Sequence, residues 1–135
     1  MLPFEFIILG PPVSQQTRRR ERLQHWRARI RNAAESGWLT DIPLEQEITV
    51  EITYLFEGAP ADVDNIIKPI LDAMEGVVFK NDSQITDLII RRRNIAGPYT
   101  IDSVSSILAE ALANRLEFLH IRVTAASIEG ELRFE

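Results

Sequence analysis

The chain of 135 residues contains no cysteine and only two histidines. Without cysteine there is no disulfide framework, no thiolate zinc site and no cysteine nucleophile. His25 and His120 stand far apart in sequence and lack the spacing of a metal-ligand pair. No stretch approaches the roughly 18 apolar residues of a membrane span. The N-terminal MLPFEFIILGPP has no basic segment and carries Glu5, so it reads as a strand and not as a signal peptide. The expected compartment is the cytoplasm, with no membrane partner. Repeats, low-complexity tracts and interdomain linkers are missing too, so residues 1–135 are expected to fold as a single domain. Positive charge is also in deficit: the net charge is −5, which at first argues against a nucleic-acid partner.

The distribution of charge argues otherwise. Between Arg18 and Arg31 there are seven arginines and one acid, Glu21, a local balance of +6 that leaves −11 for the rest of the chain. Phosphate contact responds to such a local field more than to the total. Thr17 is expected to cap a helix running to about Ser36 and ending at Gly37, with Leu23, Trp26, Ile30 and Ala33 on its buried stripe. The arginines mostly occupy the remainder. Arg18, Arg19, Arg20, Arg22 and Arg27 are the candidate contacts to a DNA backbone, because guanidinium forks match phosphate oxygens. The plainer alternative is a solvated helix face.

Around this helix, residues 3–9 read as a strand and GPPVSQQT as a rigid turn and loop. Glu47 to Phe56 alternates, with Ile48, Val50, Ile52, Tyr54 and Phe56 on one face. Gln84 to Asn94 is a third strand, on which Arg91 and Arg93 share a face and extend the candidate DNA surface, unless they are plain strand-end arginines. Asp87 is a candidate ion-pair partner for Arg91 on that face. Asp102 or Ser103 is expected to cap a helix to about Leu116, with Val104, Ile107, Leu108, Ala111 and Leu112 apolar. Glu117 to Ser127 is a last strand, where His120 reads as structural, and the tail IEGELRFE reads as acidic and loose. The expected fold is α+β (α/β): one mixed four-stranded sheet with the helices mainly on one face.

The remaining stretch, ADVDNIIKPILDAMEGVVFKNDSQITD over residues 61–87, concentrates the chemistry. In an extended segment Asp62 and Asp64 project on the same side, with Cα atoms about 6.5–7 Å apart. Such a pair can hold a hard divalent cation while leaving positions for water and phosphate. Asp64 or Asn65 is a plausible N-cap for a helix reading NIIKPILDAM, on which Asp64, Lys68 and Asp72 share a face. Lysine beside this cluster can stabilise charge on a leaving oxygen. Asp82 follows Gly76 and a short apolar run, where the chain can return to the first two aspartates. Three carboxylates and a lysine suit metal-assisted phosphodiester cleavage. An Asp-rich loop that merely caps a helix, with Lys68 and Asp72 as a surface ion pair, fits the same spacing.

DVDNIIKPILDAM, with Asp82 ten residues beyond Asp72 in the run NDSQI, resembles the RusA family of Holliday-junction resolvases. Their pattern is Asp-x-Asp-Asn-x-x-Lys, a Leu-Asp-Ala helix segment and Asp-x-Gln-Ile. The resemblance implies that Asp62, Asp64 and Asp82 bind metal and are catalytic together with Lys68, with Asn65 and Asp72 in supporting places. It also implies a homodimer that binds four-way DNA junctions and nicks opposed strands with Mg²⁺ or Mn²⁺. Two departures stand out: Asn81 occupies a position where relatives carry a second acid, and the helix near 102–116 is additional. They motivate an alternative, a structure-selective DNA-binding module with little or no nuclease activity. A metal-dependent nucleotide hydrolase is a third reading, disfavoured by the arginine helix.

Overall fold

Alternating apolar residues between Glu47 and Phe56 do build a strand. β2 (Ile48–Phe56) buries Ile48, Val50, Ile52 and Tyr54 on one face, as its pattern predicts. The computed structural model describes residues 2–127, 130–132 and 134. The expectation of a loose tail falls partly on Ile128, Glu129, Arg133 and Glu135, which lie outside the described residues. The elements run β1 (Phe4–Leu9), α1 (Arg20–Gly37), β2, α2 (Val63–Met74), a 3₁₀ turn (Asp82–Gln84), β3 (Ile85–Asn94), α3 (Ser106–Asn114) and β4 (Phe118–Ala125). The result is a single-domain α+β fold around a four-stranded mixed sheet of order β1-β4-β2-β3. β4 is antiparallel to both β1 and β2, whereas β3 is parallel to β2.

α1 and α2 cover one face. Leu23, Trp26, Ile30 and Ala34 are the buried residues of α1; Ala33, expected on the stripe, is only partly buried beside it. The helix starts at Arg20 and not at Thr17, because the Thr17 hydroxyl accepts from the Arg19 N–H and so closes a turn ahead of it. On α2 the residues Ile66, Ile70 and Met74 are fully buried at a four-residue spacing. Each contributes about 1.5–3 kcal/mol by burial. That stripe fixes the roll of α2, and so sends Asp64, Lys68 and Asp72 outward. Trp38 is buried edge-on against Phe4 at 5.2 Å between ring centroids.

α3 lies on the opposite face, where Ala111 packs with Leu55 and Phe118. Its cap is Ser105, whose hydroxyl accepts from the Leu108 N–H, and not Asp102 or Ser103. With this later start, Val104 lies outside the helix, and both Val104 and Ile107 are exposed. On the same face His120 is buried but not purely apolar in surroundings: its Nε2 meets Glu5 Oε2 at 2.6 Å. Burial pushes the Glu5 carboxyl up, but bonds to His120 and Ser105 and the charges of His120 and Arg122 outweigh it, leaving the group below its ordinary value. A lowered acid stabilises the fold above its unfolded value near 4.5 and loses that contribution as pH falls through the folded value. Glu5→Gln is therefore expected to cost about 1–2 kcal/mol at pH 7 and progressively less below pH 4.5. Thermal melts at pH 7 and pH 3 check this, and equal losses at both would refute it.

Candidate metal centre and nucleic-acid face

β2 ends at Phe56, and a five-residue loop leads to Asp62, the N-cap of α2. The expectation that Asp64 or Asn65 caps the helix is corrected. Asp62 takes the extended cap conformation, Val63 is the first helical residue and Asp64 lies in the first turn. The pair is thus not carried on one side of an extended segment. The Asp62 side chain makes no capping hydrogen bond, since the Asn65 N–H is taken at 3.0 Å by the Asp62 backbone carbonyl. Asp64 is exposed, and among the described residues its side chain makes no hydrogen bond or ion pair. Two uncommitted carboxylates therefore stand at the positive end of a helix, where negative charge is favoured.

One turn further, Lys68 is exposed, with its Nζ 3.6 Å from Asp72 Oδ1. Asp72 also accepts from Arg27 Nη2 at 3.3 Å, and the same nitrogen reaches Gln15 Oε1 at 3.4 Å. Asp72 therefore ties α1 to α2 and sets where Lys68 rests. Pro69 sharpens this junction. It has no N–H, so the Asn65 carbonyl four residues earlier lacks its helical partner. The Gln15 N–H donates to it at 2.9 Å, pinning the loop before α1 beside Asp64.

Asp82 does not return to the first two aspartates. It opens the 3₁₀ turn at the other end of α2, where its N–H donates to Oε1 of Glu75, the C-cap of that helix, at 3.3 Å. Twelve helical residues intervene, about 18 Å at 1.5 Å per residue. Among the described residues, no group of three His, Cys, Asp or Glu side chains within one chain could hold a metal ion. The reason is topological: α2 crosses back so that β3 can run parallel to β2, so β3 begins beside Ile48 at the start of β2, the opposite end of the sheet from Phe56.

Of the arginines, Arg18, Arg19, Arg20 and Arg22 are exposed and, among the described residues, make no side-chain hydrogen bond or ion pair. Arg27 is committed to Asp72; Arg29 donates to the Leu9 carbonyl at 2.9 Å and stacks over Trp26; Arg31 pairs with Glu35. Arg91 and Arg93 face away from α1 and α2, lining a groove of about 930 Å³ on the α3 side of the sheet with Tyr99, His120 and Arg122. They are therefore not continuous with the α1 arginines, and Arg91 pairs with Glu51 at 3.1 Å instead of Asp87.

The profile of a protein family described as Endodeoxyribonuclease RusA matches residues 12–101, well over half of the chain. The chain belongs to the RusA family. No curated protein gives a match. Membership implies Holliday-junction resolvase endonuclease activity, with branched DNA as substrate. The RusA match takes in the arginine segment, both acidic sites and β3, and leaves out β1, α3 and β4. Among the described residues of this RusA-family chain, no helix is long and apolar enough to cross a membrane.

The family motif's glutamine has a visible task here. Gln84 Oε1 accepts from the Lys80 and Asn81 N–H groups at 2.9 Å each, and its Nε2 donates to the Leu44 and Gln46 carbonyls at 2.8 Å. Every bonding site of the amide directed at this turn is used, which locks the turn that presents Asp82. Asn81, the departure from an acid, caps that turn by accepting from the Ser83 N–H at 2.9 Å. Three further residues near the site have no role there that the sequence announces: Arg92, which reads only as part of a basic run on β3, Tyr54, which reads only as a buried strand residue, and Glu117. Arg92 donates to the carbonyl of Ala61, immediately before Asp62.

Proposed function

We propose that the chain is a divalent-metal-dependent, structure-selective endonuclease that resolves four-way junctions as a homodimer by nicking opposed strands. What carries this reading is the pair of uncommitted carboxylates, Asp62 and Asp64, at the N-terminus of α2, with Lys68 one turn away. The donor set fits Mg²⁺ or Mn²⁺, which are commonly held by one or two carboxylates with water and phosphate completing the shell. Such an ion, when bound, stabilises charge on the scissile phosphate and activates water for attack. Lys68 neutralises charge building on the phosphate or the leaving oxygen. Arg18, Arg19, Arg20 and Arg22, free of partners among the described residues, contact the DNA backbone and hold the junction in register.

Asp82 joins this site from a second copy. β3 is an edge strand of ten residues, and near its middle Leu88 and Ile89 are 39% and 37% exposed. A long edge with exposed apolar residues is normally covered. Antiparallel pairing of two β3 strands about a twofold axis between Leu88 and Ile89 covers both edges at once. It also sets Asp82 of each copy against the end of β3 in the other, where Arg92 reaches the residue before Asp62. Each site then takes two aspartates from one chain and one from the other.

The test is cleavage of a synthetic four-way junction and its matched linear duplex, at low salt, with Mg²⁺, Mn²⁺ or EDTA. Paired symmetric nicks on the junction alone, abolished by EDTA, are expected. Tight binding in EDTA with no nicks under either metal would instead make the chain a binding module.

A further inference from the structure

The loop between β2 and α2 is anchored at its near end by the Glu117 carboxylate and at its far end, the peptide before Asp62, by Arg92. At the near end, Glu117 Oε1 accepts from the Glu57 N–H at 2.6 Å. Its other oxygen, Oε2, accepts from the Tyr54 hydroxyl at 2.9 Å. Burial, together with the bond to Glu117 and its negative charge, keeps that hydroxyl protonated well above its ordinary range, while the Ala61 backbone and the Arg92 charge act on it in the opposite sense. The phenol is thus bonded to Glu117 and lies close enough to the Ala61 backbone to be influenced by it. From the other side, Arg92 Nη1 donates to the Ala61 carbonyl at 3.1 Å, its guanidinium lying 6.0 Å over the Phe56 ring. The intervening Gly58 has φ +74, so the loop turns back on itself between its two anchors.

Glu117 is itself fixed. Its backbone carbonyl accepts from the Gly10 N–H at 2.9 Å, and a Cβ at Gly10 would lie 2.9 Å from its Oε2. The loop is therefore braced from three sides: β3 bonds the Ala61 carbonyl through Arg92, and Glu117, just before β4, bonds Glu57 at the loop's start and Tyr54 on β2. An N-cap whose side chain makes no capping bond has nothing of its own to fix its direction. Its orientation must come from the backbone that precedes it.

We propose that Tyr54, Glu117 and Arg92 are positioning residues that hold Asp62 in the orientation in which it binds the divalent ion. This rests on the metal role proposed above for Asp62. Outer-shell partners of this kind typically change metal affinity by about 10–100-fold when removed.

Tyr54→Phe keeps the buried ring and removes only the hydroxyl; Arg92→Met leaves an exposed side chain able to lie on Phe56. Mn²⁺ binding to the DNA-free protein is measured by electron paramagnetic resonance, and junction cleavage is titrated with Mg²⁺. Both variants are expected to bind Mn²⁺ about tenfold more weakly, with the Mg²⁺ midpoint of cleavage rising by a similar factor. The rate at saturating Mg²⁺ should stay near that of the wild type. A purely structural role would lower the active fraction and leave the metal midpoint where it was. Wild-type Mn²⁺ affinity in both folded variants overturns the clamp and leaves the nuclease reading intact. A wild-type protein that binds no Mn²⁺ overturns both.

Discussion

Asp64→Asn is expected to bind a four-way junction as tightly as the wild type and to cut it at least about 10³-fold more slowly, a loss of about 4 kcal/mol of transition-state stabilisation. The substitution removes one negative charge and almost no volume. Because Asp64 is exposed and pairs with none of the described residues, the fold should lose only the charge–dipole contribution of an acid in the first turn of α2, about 0.3–1 kcal/mol. Junction binding should hold or tighten, since an anion facing phosphates has gone while the arginines are untouched. Gel-shift titration in EDTA and single-turnover cleavage in Mg²⁺ separate the two properties. Cleavage at the wild-type rate would remove Asp64 from the site.

Mixing two dead enzymes should make a live one. Asp64→Asn and Asp82→Asn, each inactive alone, are expected to recover nicking when co-expressed or refolded together. If each site takes Asp62 and Asp64 from one chain and Asp82 from the other, a mixed dimer concentrates both lesions in one site and leaves its other site intact. Random pairing gives half of all dimers this composition, so the mixture should nick at up to about a quarter of the wild-type site concentration. It should produce single nicks and few paired ones. A site built within one chain predicts no recovery, because each half of a mixed dimer would keep its own lesion. The distance along α2 favours recovery: about 18 Å separates the two acidic sites within a chain, far beyond the 2.0–2.6 Å of carboxylate coordination.

The strands were legible because period-two burial is written directly into them: Ile48, Val50, Ile52 and Tyr54 needed no tertiary information. The same holds for the stripe of α1 up to Ile30. The start of α3 was not legible, because Asp102, Ser103 and Ser105 are all competent caps and only packing against Leu55 and Phe118 selects among them. The shared face of Asp64, Lys68 and Asp72 was legible from spacing, and the 3.6 Å approach of Lys68 to Asp72 follows from it. The place of Asp82 was misread, although a signal existed. A strand, a helix and a parallel strand must begin the second strand beside the start of the first, at the opposite end of the sheet from where the first stops, so a site joining both ends could not lie in one chain. Arg92, Tyr54 and Glu117 had no such signal: Tyr54 and Glu117 meet across 63 positions of sequence, and nothing local marks either.

Pro69 has a consequence for how this chain can vary. A proline inside a helix is usually counted as a local fault, yet here it leaves an unfilled acceptor that only a visiting backbone amide satisfies, and Gln15 is the visitor. That amide must arrive at a fixed point after the chain leaves β1, so the stretch between Leu9 and Gln15 is held to one length. The helix gauges its neighbour. Lengthening that stretch would present a different amide to Asn65, so the register between the loop before α1 and the start of α2 is set by a missing hydrogen atom.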